Sequence, residues 1–236
     1  MSSTFDIFGE AIQDYSKFGH AKSILVENNV SDGYEIPVEY LFRSLQEMPE
    51  IERCAIDLCG KKVLDVGSAA GVHAKELIAK NHEVTCLDIS PKAVEYVRSK
   101  GYHAIHKDFF DFNEASYDSL LFLMNGIGIA KDINGLKVFL EHCKSLLNPG
   151  GNILLDSADL SYLHEDENGE IWIDLNASYY GEVQFRMTYK NMDSGWFPWL
   201  FIDFDTLAFY ADELGYSCRF VVGDDENQFL AELKLK

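Results

Sequence analysis

The stretch Val63-Leu64-Asp65-Val66-Gly67-Ser68-Ala69-Ala70-Gly71 passes from an apolar run through small residues into a helical pattern. A turn of this kind brings a ligand close to the backbone and to the free N–H groups of a helix N-terminus. Asp88 stands 21 residues after Gly67, at the end of the second expected strand, and Asp108 a further 20 along, after the third. In a parallel sheet the ligand crevice lies outside the carboxyl ends of the strands, and an acid about 20 residues past the glycine turn takes ribose hydroxyls. Asp65, Asp88 and Asp108 are therefore expected to face one crevice. The glycines alone describe any tight strand-to-helix turn, and loop carboxylates abound in an acidic chain; regular placement is what separates these three. A nicotinamide dinucleotide fingerprint wants glycine at the first, third and sixth positions. Counted from Gly67, those positions hold Gly67, Ala69 and Val72, which disfavours a nicotinamide-dependent oxidoreductase.

The acids need strands whose ends lie side by side, and the pattern from Lys61 onward supplies them. Short apolar runs alternate with helical periodicity, the mark of a parallel sheet with crossover helices. Strands are expected at Val63 to Val66, Val84 to Leu87, His103 to His106, Leu120 to Met124 and Ile153 to Leu155. Helices are expected at Val72 to Lys80, from Ser90-Pro91 to Gly101, and through Leu136, Phe139, Leu140, Cys143, Leu146 and Leu147 to a stop at Asn148-Pro149-Gly150-Gly151. Then the beat breaks. Glu182 to Lys190 alternates strictly, Asn191 to Gly195 reads as a turn, and Trp196 to Ile202 as a partner strand held at an edge by Pro198. A helix over Thr206 to Leu214 and a closing hairpin of Ser217 to Val222 with Gln228 to Leu235 complete the chain. Residues 1–60 read as a separate helical cap, with helices starting at Pro37 and at Pro49-Glu50, and residues 61–236 as the main domain with an antiparallel insertion at about 170–202.

Composition bounds the partners. Against 39 Asp+Glu stand 20 Lys+Arg, a formal charge of −19 over 236 residues. Nucleic-acid affinity is largely counterion release by Lys and Arg, so DNA and RNA are excluded as expected partners, and anionic membranes with them. Five cysteines without a C-x-x-C pair give no zinc signature and suit a reducing cytoplasm, and no metal site is expected. No signal peptide or membrane span is legible. The expected setting is cytoplasmic.

On the residues quoted above, with Asn125-Gly126 and Leu147 to Gly151, the chain resembles the class I S-adenosylmethionine-dependent methyltransferases of small-molecule type. The motifs cover roughly Lys61 to Asp156, and the strand order extends the likeness to the whole chain. The resemblance implies an α/β fold: a doubly wound, seven-stranded Rossmann-like sheet with its last strand antiparallel, N-terminal helices and an antiparallel β insertion after strand five. It implies S-adenosylmethionine as cofactor. Asp65, Gly67, Ser68, Ala69 and Gly71 would wrap the methionine half, and Asp88 would take the ribose diol with Ile89 beside it. Asp108 and Phe109 would meet the adenine, and Asn125 and Gly126 would lie beneath the sulfonium. His73, in the first turn after Gly71, would pack against or touch the cofactor. Ala69 departs from the second glycine that many members carry and leaves the loop path open.

Methyl transfer from a sulfonium is an in-line displacement, so such a site mainly aligns and desolvates the nucleophile. A base is optional, because thiols and amines can arrive deprotonated whereas phenols and alcohols need an acceptor; the catalytic residue stays unassigned. Tyr15, Tyr34 and Arg43 from the N-terminal segment and Trp196, Phe197 and Trp199 from the insertion are the expected substrate wall, where aromatic faces would attract a cation. The expected activity is methyl transfer to a small-molecule nitrogen, oxygen or sulfur nucleophile. The competing readings are a protein methyltransferase, a non-catalytic S-adenosylmethionine-binding protein and an NAD-dependent oxidoreductase. The insertion is expected to act as a substrate lid or an oligomer contact, in a monomer or homodimer.

Overall fold

A computed structural model of the chain describes residues 6–173 and 176–236, so residues 1–5 of the expected cap and 174–175 of the expected insertion lie outside the described residues. Helix α1 (Ile7–Phe18) is capped by Asp6, whose side chain accepts the Gly9 N–H. Strands β1 (Ile24–Asn28) and β2 (Tyr34–Ile36) follow, then 3-10 turns at Val38–Phe42 and Leu45–Glu47 and helix α2 (Glu50–Leu58). The parallel beat then runs β3 (Lys62–Val66), α3 (Val72–Ala79), β4 (Glu83–Asp88), α4 (Pro91–Ser99), β5 (Ala104–His106), β6 (Tyr117–Phe122), α5 (Ile133–Leu146) and β7 (Leu147–Ala158). After it come β8 (Glu182–Tyr189), β9 (Met192–Leu200), α6 (Phe204–Glu213), β10 (Tyr216–Gly223) and β11 (Gln228–Leu235).

Seven strands form the main sheet in the order β10-β11-β7-β6-β3-β4-β5. The pairs from β7 to β5 are parallel, and β11 runs antiparallel between β7 and β10. Side chains alternate across a strand, so a central strand buried on both faces must be apolar throughout. Leu64, Leu120, Ile153 and Leu155 pack on one face with Leu136, Phe139 and Leu140 of α5 and Leu207 of α6. Val63, Leu121 and Leu154 pack on the other with Ile51 and Ile56 of α2, Leu77 of α3 and Val94 and Val97 of α4. The two faces bring every parallel strand end, and hence Asp65, Asp88 and Asp156, to the same edge.

A second sheet has four strands in the order β2-β1-β8-β9. It joins the N-terminal segment to the insertion, since β1 pairs antiparallel with β8 from Leu25↔Thr188 to Asn28↔Phe185. Ile7 and Ile12 of α1, Ile24 and Val26 of β1, and Val183, Phe185 and Tyr189 of β8 share one apolar cluster. Residues 6–60 are thus not helical throughout: β1 is only five residues long, it forms a hairpin with β2 from Ile24↔Ile36 to Val26↔Tyr34, and its other partner, β8, lies far downstream. The β8–β9 turn is also tighter than expected. Tyr189 pairs with Met192, and Lys190 at φ +54 helps close the hairpin, so β9 begins well before Trp196. Pro198 does lie on an edge strand.

Gly128 sits under the roof made by this second sheet. A Cβ placed there would fall 2.0 Å from Trp199 Nε1, so only glycine lets the indole of β9 lie on this backbone. Gly128→Ala should displace Trp199 and cost about 1–3 kcal/mol in urea unfolding. A tryptophan emission spectrum unchanged from that of the unsubstituted protein would contradict this packing.

Candidate active site

The glycine turn is wound by three left-handed residues, Gly67 (φ +72), Ala69 (φ +46) and Gly71 (φ +75). The Gly67 N–H donates to the Leu87 carbonyl at 2.8 Å, and the Gly71 N–H to the Ser68 carbonyl at 2.7 Å. Ala69 adopts a conformation that an L-residue enters at a cost of about 1–2 kcal/mol. Its N–H is held by Asp88 Oδ2 at 2.8 Å, while Asp88 Oδ1 accepts the Ser90 N–H at 2.8 Å. One carboxylate thus ties the glycine turn to the start of α4. Burial raises the Asp88 carboxyl above its ordinary range, against the pull of the Ser90 and Ala69 N–H groups.

Asp65 is pushed up to about 6 by burial, with the Asp88 charge adding and His73 opposing. Asp65 Oδ2 and Ser68 Oγ are the buried side-chain polar atoms without a hydrogen-bond partner among the described residues. Buried polar groups are normally paired. Two such atoms, one on β3 and one in the glycine turn that follows it, with open space above Gly67 where a Cβ would meet nothing within 4 Å, fit a polar cofactor lying on this turn.

At the next strand end, Asp108 is exposed and its Oδ1 accepts the Phe110 N–H at 2.9 Å. Ile89 is 55% exposed beside it, with its carbonyl 3.0 Å from His106 Nε2. The Phe109 ring packs into the core against Phe122 and Phe139, and its carbonyl lies 2.8 Å from His142 Nε2 of α5.

Beyond β6, Met124 (φ +59) and Asn125 (φ +54) are consecutive left-handed residues. Asp156, at the end of the fifth parallel strand, holds both: the Met124 N–H donates to Oδ2 at 3.0 Å and the Asn125 N–H to Oδ1 at 2.7 Å. Asn125 is locked further, its Nδ2 donating to the Leu200 carbonyl at 3.2 Å and its Oδ1 accepting from Ser157 Oγ at 3.1 Å. Gly126 follows at the start of a 3-10 turn, where a Cβ would press on Phe122 Cβ at 3.2 Å.

His73 turns away from the glycine turn into a buried polar cluster. Its Nε2 lies 3.0 Å from Glu52 Oε2, and Arg43 Nε donates to the same oxygen at 3.2 Å. Burial alone would raise the Glu52 carboxyl, but His73 and Arg43 outweigh it and hold it below the usual range. The Arg43 guanidinium also lies 4.0 Å over the Tyr40 ring. Two clefts open here. The larger, about 610 Å³, includes Tyr34, Asn125, Asp156, Tyr162 and Phe185 in its wall; the other, about 450 Å³, includes Tyr40, Glu52, Asp156 and Asp224. Met124, Asp156, Glu226 and Gln228 line both, which makes them one chamber.

Of the expected substrate wall, Tyr34 lines the chamber and Tyr15, Arg43, Trp196, Phe197 and Trp199 do not. Tyr15 stacks on Phe42 with ring centroids 4.4 Å apart, Arg43 is consumed by Glu52, and Trp196 is 54% exposed on the edge strand. Trp199 lies against Gly128, and Phe197 is packed with Phe185 and Trp199. Asp156, Tyr40, Tyr162 and the Asp224–Gln228 turn were not anticipated. Asp156 alone had a legible signal, since it follows the apolar run Ile153 to Leu155 as Asp88 follows Val84 to Leu87.

The sheet order and a glycine turn braced by the acid of the next strand define a Rossmann-like methyltransferase domain, and the methyltransferase-domain family model matches residues 63–151. An S-adenosylmethionine-dependent methyltransferase from Bacteroides fragilis, solved with S-adenosyl-L-homocysteine, is 38% identical, with a TM-score of 0.92 over 100% of this chain and 97% of that one. The chain belongs to the S-adenosylmethionine-dependent methyltransferases. A ubiquinone biosynthesis O-methyltransferase of Xanthomonas oryzae pv. oryzae is 25% identical over 109 residues, 43% of this chain and 45% of that protein, so the chain spans less than half the length of this curated relative. DesVI of Streptomyces venezuelae shares the fold at 14% identity and a TM-score of 0.55, covering 84% of this chain and 92% of that one.

Two consequences can be measured. The native Asp65 carboxyl, at about 6, lies above its ordinary value of 3.8, so the folded state holds a proton that the unfolded chain has lost. Its contribution to stability therefore falls as pH rises from about 4 through 6. Asp65→Asn should gain on the unsubstituted protein by on the order of 1 kcal/mol between pH 5 and pH 8 in urea unfolding; a gap that narrows with pH would refute the assignment. Removing one partner of a buried ion pair strands the other. Arg43→Met should cost about 3 kcal/mol, and Glu52→Gln in the same chain should restore part of it.

Proposed function

We propose that the chain transfers the methyl group of S-adenosylmethionine to a small nucleophile bound in the chamber beneath the β2-β1-β8-β9 roof. The observation that carries this reading is the position of the chamber, whose wall includes Met124, Asn125 and Asp156 at the strand ends next to the glycine turn. Its second cleft reaches Glu52, which bonds His73 in the first turn of α3, the helix that follows the glycine turn. A cleft of about 610 Å³ is the size that encloses a small molecule.

In this reading the chain's own residues do the binding and alignment. The Gly67 to Gly71 turn, with Asp65 and Ser68 beneath it, cradles the methionine half; Asp88 faces the ribose through its remaining lone pairs; Ile89 and Asp108 flank the base. When bound, the cofactor supplies a methyl group on a positive sulfur. Asn125, fixed by three hydrogen bonds, sets the floor on which donor and acceptor meet, and the roof keeps water out. The five cysteines are free thiols, and no helix among the described residues is long and apolar enough to cross a membrane, which accords with a cytoplasmic setting.

Calorimetry tests the reading directly. S-adenosylmethionine and S-adenosylhomocysteine should bind and NAD should not. Asp88→Ala, which loses both the ribose acceptor and the brace on Ala69, should weaken binding at least about tenfold. Failure of both sulfur nucleotides to bind would overturn the proposal.

A further inference from the structure

The charge of the acceptor follows from what lines the chamber. Among the described residues, neither cleft has a Lys, Arg or His in its wall, while Glu52, Asp156, Asp224 and Glu226 all contribute carboxylates. Glu52 is neutralised by Arg43, and one Asp224 oxygen is spent on the Glu226 and Gln228 N–H groups of its own turn. Asp156 differs from these. Like the exposed Glu226 it lines both clefts, but it is only 6% exposed, and its two oxygens each accept one backbone N–H of the Met124–Asn125 turn. A carboxylate oxygen has two lone pairs, so each still has one for a ligand. The same two clefts are lined by Tyr34, Tyr40, Tyr162, Phe185 and Phe201. Tyr40 already takes a guanidinium on its face at 4.0 Å, the geometry by which an aromatic ring holds a cation.

The carboxylates of this chamber would repel an anionic acceptor, and a neutral one would leave them without a cationic partner. A protonated amine satisfies both. Resting on the methyltransferase reading, we infer that the acceptor is a small amine that binds as its ammonium, anchored by the Asp156 carboxylate within the aromatic wall, and is methylated on nitrogen. The ammonium gives a proton to Asp156, and the freed nitrogen lone pair forms the bond to the methyl carbon. The carbon–sulfur bond breaks with its electron pair returning to sulfur, which leaves a neutral thioether and an N-methylammonium. Asp156 suits the exchange: burial pushes its carboxyl up to about 7, the Met124 and Asn125 N–H groups and His73 restrain the rise, and Glu52 adds to it.

The test uses probes of one shape and three charges. The full-length protein is saturated with S-adenosylhomocysteine and titrated by calorimetry with benzylamine, benzyl alcohol, phenol and benzoate at pH 7.5. Benzylamine should bind about tenfold or more tightly than benzyl alcohol or phenol, and benzoate should not bind. The preference should shrink severalfold in Glu226→Gln and vanish in Asp156→Asn. Should Asp156→Asn fail to fold, the charge series and Glu226→Gln still decide. Benzyl alcohol, phenol or benzoate binding as well as benzylamine, with S-adenosylhomocysteine bound normally, would overturn the amine assignment alone. Failure of S-adenosylhomocysteine to bind would instead remove the reading on which it rests.

Discussion

A carboxylate at the end of a buried parallel strand, accepting backbone N–H groups from the loop beside it, is the constraint on which this site depends. Asp88 ends β4 and holds Ala69 and Ser90; Asp156, within β7, holds Met124 and Asn125. In both places the loop contains non-glycine residues in the left-handed region, which would relax if the bond were lost. The strain and the charge therefore support each other. Burying the carboxylates costs solvation, the N–H groups return part of it, and the loops are fixed where a ligand must find a preorganised surface.

The rest of the architecture serves this edge. α2, α3 and α4 cover one face of the main sheet and α5 and α6 the other, so that its central strands are buried on both faces. Tyr179 and Tyr180 extend the same logic to the insertion: both hydroxyls donate to Asp203 Oδ2, at 2.6 and 3.0 Å, and Asp203 also caps α6. The returning chain is thereby anchored close to the sheet it has just left. On the other side, the Tyr189 hydroxyl donates to Asp14 at 2.6 Å and ties β8 to α1.

Much of the main sheet was legible because its signals are local. Ser90-Pro91 marks a helix start whatever surrounds it, and the runs at Val63 and Leu120 are apolar because both faces are covered. The seven strands and the antiparallel place of β11 accord with the sequence. The second sheet was half legible. β8 betrays itself by alternation, but β1 and β2 are only five and three residues long, and the hairpin they form joins the sheet through the pairing of β1 with the distant β8. The acceptor side was the least legible, since Tyr40, Tyr162 and Glu226 carry no spacing rule and meet only through the fold. Arg43 shows the opposite error: a polar tip read as substrate-facing is spent on Glu52, which no spacing between the two residues foretells.

The roof has a kinetic meaning as well. β1 and β8 meet across most of the chain, whereas the parallel ladder from β3 to β7 closes over much shorter loops. Loop-closure entropy places the long-range pairing late in folding, after the main sheet offers a surface to dock on. Because no ladder joins the two sheets, the roof can detach without breaking a hydrogen bond of the main sheet's strand pairing. Such an opening would instead break the Asn125 Nδ2–Leu200 carbonyl bond and the packing of Trp199 on Gly128.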